Sequence, residues 1–210
     1  QRAQGPQARA RVAMSQLVKL LRLDVVFYPA DGDLLGEPLY ESAGAEDHRT
    51  SLFTEYERAV ATWTFNNNKH AGASTHTLPE AQCLYLAVRA GNEVFGVVGI
   101  DLKGRVLEAF EHSIVLSIVG ECALALESDK AAREREEAAV LLCRAMGIEA
   151  EGDAGLEFAD RGAVSPWAQG AVTALSERGM ISGVGENTFA PGLDITRAAV
   201  AKMVDNMVAA

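Results

Sequence analysis

The side chains best able to do chemistry in this chain are few: His48, His70, His76 and His112, with Cys83, Cys122 and Cys143. Neutral imidazole is the commonest metal ligand, and His70 and His76 share a loop with Thr75 and Thr77 just before Cys83. No second pair at ligand spacing supports them, so the loop reads as solvent-facing, and neither a metal nor a cofactor is expected. Cys83 falls in a strand-like run and Cys122 in an apolar helical pattern. Both read as buried structural thiols rather than nucleophiles. The wide cysteine spacing excludes a CxxC zinc site and a disulfide framework and suits a reducing compartment.

Enzyme signatures come up empty: there is no GxSxG, P-loop, GxGxxG or HExxH. Gly96-Val97-Val98-Gly99 sits inside a strand pattern, where close packing explains it better than phosphate binding. His112, in Phe110-Glu111-His112-Ser113, lacks the acidic residue and Leu-Arg-Thr-Pro that follow a phospho-accepting histidine. A different chemistry is open around Trp63 and Phe65. Aromatic walls with a few polar groups make small-molecule pockets, so these two with Asn68, His70, Thr75 and His76 form a candidate ligand site; ordinary core packing is the competing reading for the aromatics. Arg197, following Ile195-Thr196, is either an anion contact at a helix start or a surface arginine beside an N-cap threonine.

The elements that must position these residues follow from periodicity. Val12, Leu17, Leu20 and Leu21 predict a first helix, and Val25-Val26-Phe27-Tyr28 a strand ending near Pro29. Ser51 is expected to cap a helix through Tyr56, Val60, Trp63 and Phe65, which Asn66-Asn67-Asn68 stops. Runs 83–88 and 94–100 predict a hairpin through Gly91-Asn92. Leu107, Phe110, Ile114, Ile118 and Leu124 begin one long helix reaching Met146; the stretch after Leu126, with pairs such as Asp129 and Arg133, reads as a solvated face. Beyond it, Pro166 opens a helix with Trp167, Ala171, Val172 and Leu175 on one face, and a last helix starts near Thr196. Arg135–Leu142 and Arg197–Val204 share a pattern that hints at repetition.

The chain has 210 residues, 49% of them hydrophobic, and a net charge of −10. That excludes a disordered chain and argues against nucleic acid as a partner, because the basic residues form no block. No uninterrupted apolar run reaches the roughly 18 residues of a membrane span; Ile114 to Leu126 is broken by Ser117, Gly120 and Glu121. The abrupt start at Gln1 reads as that of a fragment. Residues 146–210 hold 4 basic and 9 acidic residues against 15 and 20 before them, and the Gly-rich acidic stretch 147–155 marks a boundary.

The stretch Ala61-Thr62-Trp63-Thr64-Phe65-Asn66-Asn67-Asn68 through His70, Ala71-Gly72, Thr75-His76-Thr77-Leu78-Pro79, Leu84-Tyr85-Leu86 and Val94 to Gly99 resembles the GAF domain of KdpD-type potassium-responsive sensor histidine kinases, over about residues 8–139. The resemblance implies an α+β fold, an antiparallel sheet flanked by helices with a long C-terminal helix. It also implies a non-catalytic regulatory role on the cytoplasmic side, in a protein anchored to the membrane elsewhere, a possible small-molecule ligand, and a homodimer paired through its terminal helices. Phe158-Ala159-Asp160, Pro166-Trp167-Ala168, Gly179-Met180-Ile181 and Ile195-Thr196-Arg197-Ala198 resemble an S-layer homology repeat, a small helix-turn-helix unit. That family fastens proteins to cell-wall polysaccharide, which places Trp167, Thr196 and Arg197 near a sugar groove and a surface-anchoring function beside the sensory one. Ala199 replaces the acidic residue usual after Thr-Arg-Ala. The expected division is a sensory domain over 1–128, a helical linker over 129–147 and the repeat over 148–210.

Overall fold

A computed structural model describes residues 6–149, 158–181, 188–190, 201 and 205. Its contacts divide the chain into two units, Gln1–Glu127 and Ser128–Ala210. The expected last helix from Thr196, most of the turn before it and the second copy of the repeated pattern lie outside the described residues.

The first unit is built on a six-stranded antiparallel sheet of β1 (Val25–Asp31), β2 (Leu34–Leu35), β3 (Leu39–Glu41), β4 (Ala71–Gly72), β5 (Cys83–Ala90) and β6 (Glu93–Asp101). The order is β2-β1-β6-β5-β4, with β3 also paired to β1. The expected hairpin is β5 and β6, longer at the turn than the runs implied: the strands pair out to Ala90 and Glu93, leaving Gly91 and Asn92 as the loop. Gly91 takes φ 55°, a conformation that costs glycine nothing.

Both faces of this sheet are covered. One packs α1 (Pro6–Leu21) and the first half of α4 (Ala109–Ala145) through Ala10, Met14, Leu17 and Leu21 and through Val115, Val119, Cys122, Ala123 and Leu126. The buried stripe of α1 therefore differs from the expected one, since Val12 and Leu20 are exposed. A spacing of 4-3-4 from Ala10 holds one face of a 3.6-residue helix, whereas Val12 is rotated away from it. The other face carries Val26, Tyr28, Tyr85 and Val97 under α3 (Glu55–Asn67).

The start of α3 corrects another expectation. Ser51 lies inside a separate four-residue helix, α2 (Arg49–Leu52), and Thr54 is the N-cap, its hydroxyl accepting from Glu57 N at 3.2 Å. Thr54 and Glu57 have capping-box spacing, and Thr54 takes the extended backbone a cap needs, whereas Ser51 does not precede the main helix. Asn68 stops α3 as expected, at φ 51°, with its N–H returned to Thr64 O.

Of the stripe expected for the long helix, Leu107 falls before α4 begins at Ala109 and, with Ile118, packs against the core, while Phe110 is 73% and Leu124 61% exposed. By length and composition α4 is the one helix among the described residues apolar enough to cross a membrane, with mean hydropathy 1.5 over 18 residues. Averaging absorbs the three polar breaks that interrupt its longest apolar run.

In the second unit the later part of α4 packs with α5 (Pro166–Glu177) around Ala139, Cys143, Phe158, Val172, Leu175 and Phe189. Pro166 opens the helix, as the sequence implied, with Ser165 at the N-cap. Trp167 departs from the expected face. It is 53% exposed, and Ala168 is buried in its stead. The stretch after Leu126 is not wholly solvated either: Ala131, Arg135 and Glu136 are buried.

Candidate functional site

Two buried carboxylates organise the first unit. Glu57, on the first turn of α3, accepts hydrogen bonds from Gln82 N at 2.7 Å, Cys83 N at 3.3 Å and the Tyr85 hydroxyl at 2.8 Å. The capping-box residue is thus diverted from its own helix end to clamp α3 onto the start of β5. Tyr85 lies across Gly99, where a Cβ would fall 2.5 Å from the ring. Gly72 is under equal constraint: φ is 90° and a Cβ would sit 2.1 Å from Cys83 O. Burial, first of all, pushes the Tyr85 hydroxyl far above its ordinary range, with the neighbouring Cys83 and Glu57 adding to it, so it serves as a fixed donor.

Asp24, 1% exposed just before β1, is the second centre. It accepts from Ala43 N at 2.7 Å, the Tyr40 hydroxyl at 3.2 Å and the Ser42 hydroxyl at 3.4 Å; His48 Nδ1 lies at 2.7 Å and Lys103 Nζ at 3.8 Å. Burial raises its pKa, but the Ala43, His48, Lys103 and Tyr40 interactions together outweigh burial and hold it below the usual value. This network ties the loop after β3 to the segment after β6.

Those two segments wall a cleft of ≈ 770 Å³, within the usual size range of small-molecule sites. Glu46, His48 and Ser51 contribute one side, Ser74, Pro79 and Gln82 another, and Asp101, Lys103, Arg105 and Val106 the third. The third wall is the connection into α4. Arg105 fixes that connection by donating to Glu111 Oε1 and to Leu21 O, while Glu111 Oε2 accepts from Glu108 N at 3.0 Å.

None of the six residues expected to form a ligand pocket lines this cleft. Trp63 and Phe65 are half-buried against the aromatic core cluster. Asn68 is the helix cap. The Thr75 hydroxyl lies within 2.8 Å of both Gly72 O and Thr77 O and accepts from Thr77 N, so it shapes its own loop. His76 is exposed. His70 meets His112 edge to face, ring centres 6.1 Å apart; partial desolvation and then repulsion from His112 lower its pKa. No cluster of three or more metal-ligating groups occurs among the described residues. Thr196 and Arg197 lie outside those residues. Sequence reasoning missed Asp24, Glu57, Asp101 and Lys103; the signals available were an acidic residue at the border of an apolar strand run for Asp24 and Asp101 and the capping-box spacing from Thr54 for Glu57, with none for Lys103.

The thiols are poorly suited to nucleophilic work. Burial pushes Cys83 well above its ordinary value, with the nearby Glu57 adding to it, and Cys122 up to about 11, which suppresses the reactive thiolate.

Comparison with known proteins agrees with both resemblances read from the sequence. The S-layer homology domain model matches residues 157–201. The chain is 26% identical over 139 residues to the sensor protein KdpD of Clostridium acetobutylicum; the match covers 66% of this chain and 15% of that protein. The chain thus spans a small part of that relative. A solved structure of the native GAF domain of the potassium sensor histidine kinase KdpD from Escherichia coli is similar at 24% identity and a TM-score of 0.49, covering 67% of this chain and 90% of that one.

Proposed function

We propose that the first unit is a non-catalytic sensory domain of a potassium-responsive two-component system, acting without a kinase core in this chain, and that α4 relays its state to the residues that follow. The observation that carries this reading is the cleft wall formed by Lys103, Gly104, Arg105 and Val106, because the same segment leads into α4. Occupancy of the cleft changes the forces on that connector, and a helix with two packings of similar energy passes the change on. Similarity to a sensor protein KdpD supports the regulatory role, and a cytoplasmic placement of this unit follows from the family resemblance read in the sequence. The exposed Phe110, Leu116 and Leu124 on α4 support a homodimer through its terminal helices. Hydrogen exchange along α4, compared in KCl and NaCl of equal ionic strength, tests the relay. A change confined to KCl is expected, and identical profiles overturn the potassium response. Light scattering should find dimers that Phe110→Glu dissociates; a monomer at every concentration removes the dimer.

A second reading has its own support. Trp167 stands exposed at the start of α5 inside the segment matching the S-layer homology model, as a sugar-stacking residue would. In this reading the chain is a cell-surface anchoring protein that holds cell-wall polysaccharide through Trp167, Thr196 and Arg197. Retention on purified cell wall, abolished by Trp167→Ala, is the expected result; equal retention of the variant sinks it.

A further inference from the structure

Three acidic side chains are buried in the described part of the first unit, and they are not equally satisfied. Glu57 has three hydrogen-bond donors, and Asp24 has four donors or ring nitrogens with Lys103 beyond them. Asp101, the last residue of β6 and 7% exposed, accepts one hydrogen bond from the described residues, Lys103 N to Oδ1 at 3.0 Å. An ionised carboxylate has about four acceptor positions, and the Asp101 Oδ2 has no hydrogen-bond partner among the described residues yet is not enclosed, so it opens to solvent. Of the three acids, Asp101 is the one that lines the cleft. Its second oxygen is therefore open to a donor that displaces water in the cleft.

The same cleft supplies a group of opposite sign. Lys103 is half-exposed, and its ammonium lies 3.8 Å from Asp24, outside hydrogen-bonding distance and so open to a closer anion. Arg105 is already committed to Glu111 and Leu21 O. The exposed Glu46 lies 3.3 Å from His48 Nε2. The Ser74 hydroxyl and the Gln82 side-chain amide have no hydrogen bond within the described residues and add neutral donors and acceptors.

We propose that this cleft binds a small zwitterion of the amino-acid type, whose ammonium group donates to Asp101 and whose carboxylate pairs with Lys103. A purely anionic ligand would meet the buried Asp101 charge, and a purely cationic one would meet Lys103; a molecule carrying both groups satisfies both. This deepens the sensory reading by naming a ligand class, and it rests on that reading only for its biological use. In binding, the carboxylate draws Lys103 from Asp24, which loads the connector into α4.

Titration of the whole chain with glycine and with γ-aminobutyrate, followed by amide chemical shifts and calorimetry, tests the site. Acetate, methylammonium and glycine betaine are the controls; betaine keeps both charges but has no N–H to give Asp101. At least one of the two zwitterions is expected to bind about tenfold or more tighter than any control, with shifts centred on Ser74, Asp101 and Lys103. Asp101→Asn should erase the preference over betaine, and Lys103→Met the preference over methylammonium. Ser74→Ala, at an exposed position, should weaken binding severalfold and keeps the test valid if the Asp101 variant fails to fold. No shifts with either zwitterion, betaine binding as tightly as both, or acetate binding as tightly as both overturns the proposal. Binding without altered hydrogen exchange in α4 leaves the site standing and removes the relay.

Discussion

The two halves of α4 solve the same problem by different means. Up to Leu126 the helix buries Val115, Val119, Cys122, Ala123 and Leu126 against the sheet, an aliphatic stripe held by water exclusion. From Ser128 on, burial continues at the same helical spacing through Ala131, Arg135, Ala139 and Cys143, but the stripe is small and polar. Arg135 donates to Phe189 O at 3.0 Å and Ala190 O at 2.8 Å, and its guanidinium stands 5.9 Å from the Phe189 ring centre. Asp160 receives the Phe189 and Ala190 amides, at 2.8 and 2.7 Å, so that short segment is gripped by its carbonyls and its amides alike. Glu136 accepts from Ser165 N at 2.8 Å, at the cap of α5. The first half of the helix is fixed by apolar area, and the second by an apolar cluster reinforced with a few directed bonds.

The largest effect expected from breaking this contrast lies in the aliphatic half. Leu126→Ala removes a fully packed side chain and should cost about 2–5 kcal/mol in the unfolding of the first unit. Chemical denaturation followed by Trp63 fluorescence in a Trp167→Phe background measures it. In the polar half, Arg135→Ala strips the Phe189 and Ala190 carbonyls of their donor, and Glu136→Ala strips Ser165 N–H of its acceptor. Each should cost about 1–3 kcal/mol in the second unit, read from Trp167 in a Trp63→Phe background. Equal losses in both units from either set of variants would erase the distinction.

A pH scan sharpens the comparison further. Asp24 has a folded pKa below its unfolded value, so its contribution to the first unit is complete above that unfolded value of about 3.9 and is lost as pH falls through the folded one. Asp24→Asn should flatten the acid limb of the stability profile, and an unchanged limb contradicts the assignment. The smallest effect belongs to the surface of α4. Lys130 and Glu134 lie 3.7 Å apart, both about half-exposed, and Glu134→Ala should change stability by less than about 0.5 kcal/mol, within reach of careful thermal melts.

What was legible and what was not follows the same divide. The β5–β6 hairpin, the long helix, the Asn68 stop and the Pro166 start were readable because each depends on neighbours in sequence: period-two apolar runs, a Gly-Asn turn, an absence of breakers, a proline at a first turn. The start of α3 was misplaced because Ser51 and Thr54 are both competent caps, and where the chain turns at Phe53 decides between them. Trp167 was assigned to a buried face because its hydrophobicity fits one, yet the α5 contacts are made by Ala168, Ala171, Val172 and Leu175. The cleft was missed altogether. Its walls come from residues 46–51, 73–82 and 101–106, brought together by the antiparallel pairing of β1, β5 and β6.

By itself, then, the sequence determined the helix and strand types and the change of character near residue 147, since these rest on local periodicity and composition, while the α+β class came from its resemblance to a GAF domain. Tertiary structure alone decided the fate of the charges. Asp24, Glu57, Asp101, Arg135 and Glu136 look like ordinary surface residues in a chain of net charge −10, and each is buried. Burial of a charge is tolerable where distant donors or acceptors converge on it, and that convergence is a property of three-dimensional packing which no local pattern encodes.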